Sequence, residues 1–309
     1  MTTFHNTGSI GQKGRISFLE DNLKSFLDWS FLHIGGFINV DTNGDDLYEN
    51  DLRKLLPVSD PSQRANIWES SRKDWVYETS ASYSGTAPVD ISGVYVNSTF
   101  IPAPTGSGNY GYNINYPLGR IEFSTNLSTS SKVYIDYSYR YIQVYKANTS
   151  DWWLELQRNT YSKFPRTTSG DLDITANHRA QMPFVIVETI GSNLLSPFQV
   201  GDSRNILNQD ILLHIFSDNI NHRNNIAETL LQQKDNSFRL YDTNRVVETK
   251  KYPLNRNGSK NDDGMTYPNL VDNYAANWCS VKNSNISELN TFGHNLFNAI
   301  VRWNIEIYP

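Results

Sequence analysis

Six histidines, His5, His33, His178, His214, His222 and His294, and one cysteine, Cys279, are the residues best suited to metal ligation or nucleophilic work. No two histidines take the His-x-x-x-His spacing that puts both rings on one helix face, and no third zinc ligand is suggested. A lone thiol forms neither an intrachain disulfide nor a thiolate cluster, so Cys279 reads as a small packed residue. Asp41, Asn43 and Asp45 open like a calcium loop. That loop needs glycine where Asp46 stands and a bidentate glutamate where Leu52 stands, so a turn is the better reading. The carboxylates Asp171 and Asp173 and the glycine-rich segment 105–109 lack the context of a glycosidase or a phosphate loop. Trp152 and Trp153 can stack on a sugar ring, or one can enter a core and the other an interface. The expectation is a protein that is not an enzyme, with no cofactor and no metal site.

Composition agrees with contact rather than catalysis. Of 309 residues, 38% are hydrophobic, 19% charged and 13% aromatic, with 18 Tyr and seven Trp counted among the aromatics. Asn, Ser, Thr and Tyr fill the gap, a mixture suited to β-structure and interfaces because Tyr adds contact area with two rotatable angles. The formal net charge of −5 gives no footprint for nucleic acid or an anionic membrane. No apolar stretch approaches the length of a bilayer span, and the N-terminus lacks a signal-peptide pattern, so synthesis in the cytoplasm is expected.

The elements that must position these residues follow from periodicity. Residues 1–40 read as a polar arm, a helix with the stripe Ile16, Leu19, Leu23, Phe26 and Leu27, a stop at Gly35 and Gly36, and a short strand, the whole packing on the C-terminal domain. Residues 41–88 read as irregular, with an aromatic segment around Trp68, Trp75 and Tyr77. Residues 89–148 read as an antiparallel β module able to fold alone. Tyr116–Gly119 supplies its type I turn, and the run 132–145 is one long strand with Tyr137, Tyr139 and Tyr141 on one face. Those three tyrosines, with Trp152 and Trp153, are the candidate interface. Residues 149–309 read as an α+β domain with a capped helix at 151–156, a strand from Phe184 to Ile190 and another from Gln209 to Ser217. A helix capped by Ser217–Asn219, a strand at 238–241, a long polar loop at 250–285 and an alternating last strand, 298–308, complete it.

The segments 91–97, 114–121 and 133–145, with Trp152 and Trp153, resemble virion structural proteins of tailed bacteriophages, including cyanophages. The segments 18–23, 35–40, 211–216, 220–233 and 238–242 fit the same likeness. The order of C-terminal elements is similar to that of tail-terminator proteins. The resemblance implies an α+β fold, a mixed sheet with flanking helices, carrying the β module as an insertion. It implies a homo-oligomeric ring, a hexamer, in the neck or at the head-proximal end of the tail, joining head to tail. Its implied partners are other neck, connector, tail-tube or sheath proteins, with DNA passing through the lumen, and its implied place is the virion. No membrane partner is expected. The alternative is a carbohydrate-binding module or adhesin built on a Tyr- and Trp-rich sheet.

Overall fold

The structure is a computed structural model that describes residues 14–41, 52–60, 62–103, 111–147, 181–199, 204–291 and 296–309. The chain divides into two compact units, one of residues 29–142 and 247–266, the other of residues 1–28, 143–246 and 267–309. It is mainly β, and an α+β class with a mixed sheet describes it at that coarse level.

Helix α1 (Arg15–His33) contributes its last turn to the first of these units. It ends where expected: Gly35 adopts φ +83°, and the Gly36 N–H reaches back to Phe31 O at 2.8 Å. Nine strands follow, namely β1 (Phe37–Val40), β2 (Lys54–Pro57), β3 (Ile67–Glu69), β4 (Gly93–Val96), β5 (Thr99–Pro102), β6 (Tyr112–Asn115), β7 (Arg120–Phe123), β8 (Val133–Ile135) and β9 (Tyr137–Arg140). Seven make an antiparallel sheet in the order β5-β4-β8-β2-β3-β7-β6, while β1 pairs with β9. The turn between β6 and β7 holds Pro117 at its second position and closes through Gly119 N to Tyr116 O at 3.3 Å.

Three expectations are corrected here. Residues 41–88 are not wholly irregular, since β2 and β3 sit in the middle of the seven-stranded sheet. The β module is therefore not self-contained: β8 pairs with β2, β7 with β3 and β9 with β1, so its strands find partners upstream as well as in local hairpins. The run 132–145 is also not one strand. It breaks at Asp136, whose carboxylate binds Arg53 at 2.5 Å, and again at 141–142.

The other unit holds β10 (Gln143–Lys146), β11 (Phe184–Pro197), β12 (Asn205–Ser217), helix α2 (Ile220–Leu231), β13 (Ser237–Tyr241), helix α3 (Tyr267–Tyr274), β14 (Ala275–Thr291) and β15 (Phe297–Tyr308). Its sheet runs β10-β11-β12-β15-β14-β13, with β10 parallel to β11 and every other pair antiparallel. Asn219 caps α2 as its sequence predicts, its side-chain oxygen accepting from Asn221 N at 2.8 Å. The expected loop 250–285 is corrected: its second half is α3 and the start of β14. Tertiary pairing overrides weak propensity there, because Cys279 and Val281 enter the core opposite Ile307 and Ile305.

One face of this sheet is covered. Val301, Trp303, Ile305 and Ile307 point into it with Ile211, Leu213 and Val281, and Trp303 donates its indole N–H to Leu230 O of α2 at 3.0 Å. The first turns of α1 pack within the same unit, where Phe26 stacks on Phe238 at 4.2 Å and Asn22 binds Tyr241 in both directions.

Candidate functional site

The opposite face of the six-stranded sheet is the candidate site. Period 2 along β15 sends Arg302, Asn304 and Glu306 to that face, and the register brings Asp210 of β12 and Asn283 and Asn285 of β14 beside them. Asp210, Asn283, Asn285, Arg302 and Asn304 line a concavity of about 370 Å³. Arg302 Nη2 lies 2.6 Å from Asp210 Oδ2, and Asn304 Nδ2 donates to Asp210 Oδ1 at 2.9 Å. Carboxylate and guanidinium neutralise each other, and the other three side chains are amides that do not titrate. Such a surface offers donors and acceptors for contact and no nucleophile.

Farther along the face, His214 Nε2 lies 2.6 Å from Glu188 Oε2. An imidazole held by a carboxylate is one half of an acid–base arrangement. The chain's one thiol is on the other side of the sheet: Cys279 pairs with Ile307, is fully buried, and is pushed by desolvation well above the usual thiol range. The two therefore do not form a cysteine–histidine pair. Among the described residues no three His, Cys, Asp or Glu side chains come together as a metal site.

At the end where β14 begins, aromatic rings carry cations. The Arg239 guanidinium stands 4.7 Å from the Trp278 ring centre, and the Lys282 ammonium 5.4 Å from that of Tyr308. Lys282 also reaches Glu306 at 3.3 Å.

The tyrosines expected at an interface are placed differently. Tyr137 and Tyr139 are buried in the core of the seven-stranded unit, where the Tyr137 ring lies 4.7 Å from Trp75. The Tyr137 hydroxyl meets Ser70 Oγ at 2.7 Å and donates to Leu52 O at 3.1 Å, so both ends of the side chain are satisfied internally. This corrects the interface expectation for both residues: aromatic alternation marks a buried face as readily as a contact face. Tyr141 is half-buried beyond the end of β9, its N–H bound to Gly36 O at 2.9 Å. Trp152 and Trp153 lie outside the described residues, as do His5, His178, His294 and the segment 42–51 of the calcium-like pattern.

Sequence reasoning missed the polar face. The outward positions of β15 were legible from its alternation; Asp210, Asn283 and Asn285 carried no signal until pairing joined three strands. No protein-family model matches the chain, and no curated protein matches it.

Proposed function

We propose that this chain is a structural subunit that forms a closed ring in the neck, or at the head-proximal end of the tail, of a tailed bacteriophage virion, with tail-terminator-like architecture. The supporting observation is the division of labour in the six-stranded sheet. Helices and core side chains cover one face; the other carries the buried cluster of Phe184, Ile186 and Phe216 at one end, the His214–Glu188 pair beside it, and toward the other end an open polar surface of Asp210, Asn283, Asn285, Arg302 and Asn304. Those five side chains supply no nucleophile, and a wall facing solvent, DNA or a neighbouring protein needs polar groups without reactivity. The virion setting and six-fold symmetry rest on the sequence resemblance alone.

A glycan-binding module is the competing reading. Flat binding of sugars uses open aromatic faces, and Trp278, 49% exposed, holds the Arg239 guanidinium 4.7 Å from its ring centre, so a cation takes one face of the indole and the other stays available. The ring reading therefore rests on the polar surface and not on these aromatics. Sedimentation and negative-stain microscopy of the purified chain test it. A closed ring, alone or after addition of tail-tube protein, is the expected result; a monomer under both conditions that binds a glycan array sinks it.

A further inference from the structure

Among the described residues, both lateral edges of the six-stranded sheet are unpaired over about half their length. On one side β10 pairs only with Phe184–Val187, and no described residue pairs with the outer edge of β11 from Thr189 to Pro197. On the other, β13 and the turn before it pair with β14 as far as Val281, leaving the outer edge from Lys282 to Thr291 unpaired among the described residues. Pro197 and the irregular register at Ile190–Leu194 on β11, and Lys282 and two bulges on β14, blunt these edges only in part, because exposed apolar side chains remain along both. Thr189–Pro197 contains no charge, and Leu194 and Leu195 on its two faces are 66% and 62% exposed. Along β14, Ile286 and Leu289 are 36% and 54% exposed, and Lys282 and Glu288 cancel in charge. Long exposed apolar edges are templates for strand pairing.

We infer that successive copies of this chain join edge to edge, the outer edge of β11 in one subunit running antiparallel to the outer edge of β14 in the next. This deepens the ring reading by naming its joint. Three antiparallel steps, β11 to β12 to β15 to β14, make β11 and β14 point in opposite directions. Copies in the same orientation therefore bring these two edges together antiparallel, and the contact is heterologous, the kind that generates rings or filaments. A two-fold dimer would instead pair β11 with β11.

The stagger of the edges separates those outcomes. Projected on β12 through the registers, the open edge of β11 lies opposite Asn205–Ile211 and that of β14 opposite Asp210–Ser217. Their centres differ by about five residues, roughly 17 Å along the strands, against about 19 Å for four strand spacings. Successive copies then tilt the strands by about 40°, within the range of closed barrels.

The sense of the tilt also fits. Val281 faces the helix-covered side, and its N–H and C=O bond outward to Asn236 and Asp235 at 2.9 and 2.8 Å. For an L-residue with its side chain toward the viewer and the chain running up, those groups point right. Seen from the helix-covered face with β11 running up, the next copy therefore sits to the right and higher. Levelling the copies leans every strand rightward, the lean that right-handed strand twist produces in a barrel viewed from outside. The polar face of Asp210 and Arg302 then lines the inside.

Cysteine pairing in the full chain tests the joint, since native Cys279 is buried. Chain carrying Leu194→Cys is mixed with chain carrying Asn285→Cys, Glu288→Cys or Asn290→Cys, which share its face of the sheet, assembled and mildly oxidised. All four positions lie on exposed or half-exposed edge, and unchanged melting of each variant confirms folding. A covalent dimer in at least one mixture, with none from any variant alone, is the expected result. Rings that form without a mixed dimer, or Leu194→Cys linking to itself, overturn the joint and leave the ring reading standing. Wild-type chain that stays monomeric with and without tail-tube protein overturns both.

Discussion

Arg302 of β15 holds Asp210 of β12 at 2.6 Å across the polar face of the sheet, and Asn304 occupies the second carboxylate oxygen at 2.9 Å. The carboxylate is nearly buried and the guanidinium half-exposed, so solvent screens the pair from one side. Arg302→Ala leaves Asp210 with the Asn304 amide and is expected to cost about 1 kcal/mol or less of folding stability. Urea denaturation measures it; a loss of several kcal/mol would mean that the pair is a structural keystone.

Trp303 fastens α2 to the sheet through its buried ring and its bond to Leu230 O. Trp303→Ala should cost about 3–5 kcal/mol for the lost aromatic and its cavity. Trp303→Phe keeps much of the volume and should recover most of that loss, short by about 1 kcal/mol for the missing hydrogen bond plus the smaller ring. Comparable midpoints for the two variants would contradict the packing described.

Tyr139 offers a direct trial of core against contact face. It is buried, so Tyr139→Asp should unfold the seven-stranded unit, at a cost of several kcal/mol for the lost aromatic and the buried carboxylate. Thermal melting decides, and an unchanged transition would return Tyr139 to the surface.

Alkaline pH should weaken the same unit. Desolvation pushes the Tyr112, Tyr116 and Tyr137 hydroxyls up to about 12, above the value of about 10 in an unfolded chain. The folded state keeps protons that the unfolded state releases, so their stabilisation is whole below pH 10 and is lost as pH climbs from 10 to 12. Melting temperature across that window should fall, and Tyr137→Phe should fall less steeply.

Deletion of residues 89–145 tests the topology. It removes β8, β7 and β9, the partners of β2, β3 and β1, and strips β10 from β11. The expected product is insoluble or unfolded in the seven-stranded unit, with no cooperative transition by circular dichroism. A soluble product with native-like melting would restore the independent module.

Local chemistry determined a good part of this protein from sequence alone. The alternation of Val301, Trp303, Ile305 and Ile307 assigned β15 and its inward face, Asn219 marked the start of α2, and Gly35 marked the end of α1, because periodicity, capping and positive φ act within a few residues. Only the tertiary structure decided which strands meet. The run 132–145 has one unbroken period, yet its pieces enter three sheets as β8, β9 and β10, since alternation specifies a face and never a partner. The same distance in sequence hid the destination of Tyr137, whose neighbours Trp75, Ser70 and Leu52 come from far upstream. It hid β14 as well, where a polar segment is drawn into the sheet by β15 on one side and β13 on the other. The polar face and the two open edges exist only once those pairings are made, because each joins residues that no local rule connects.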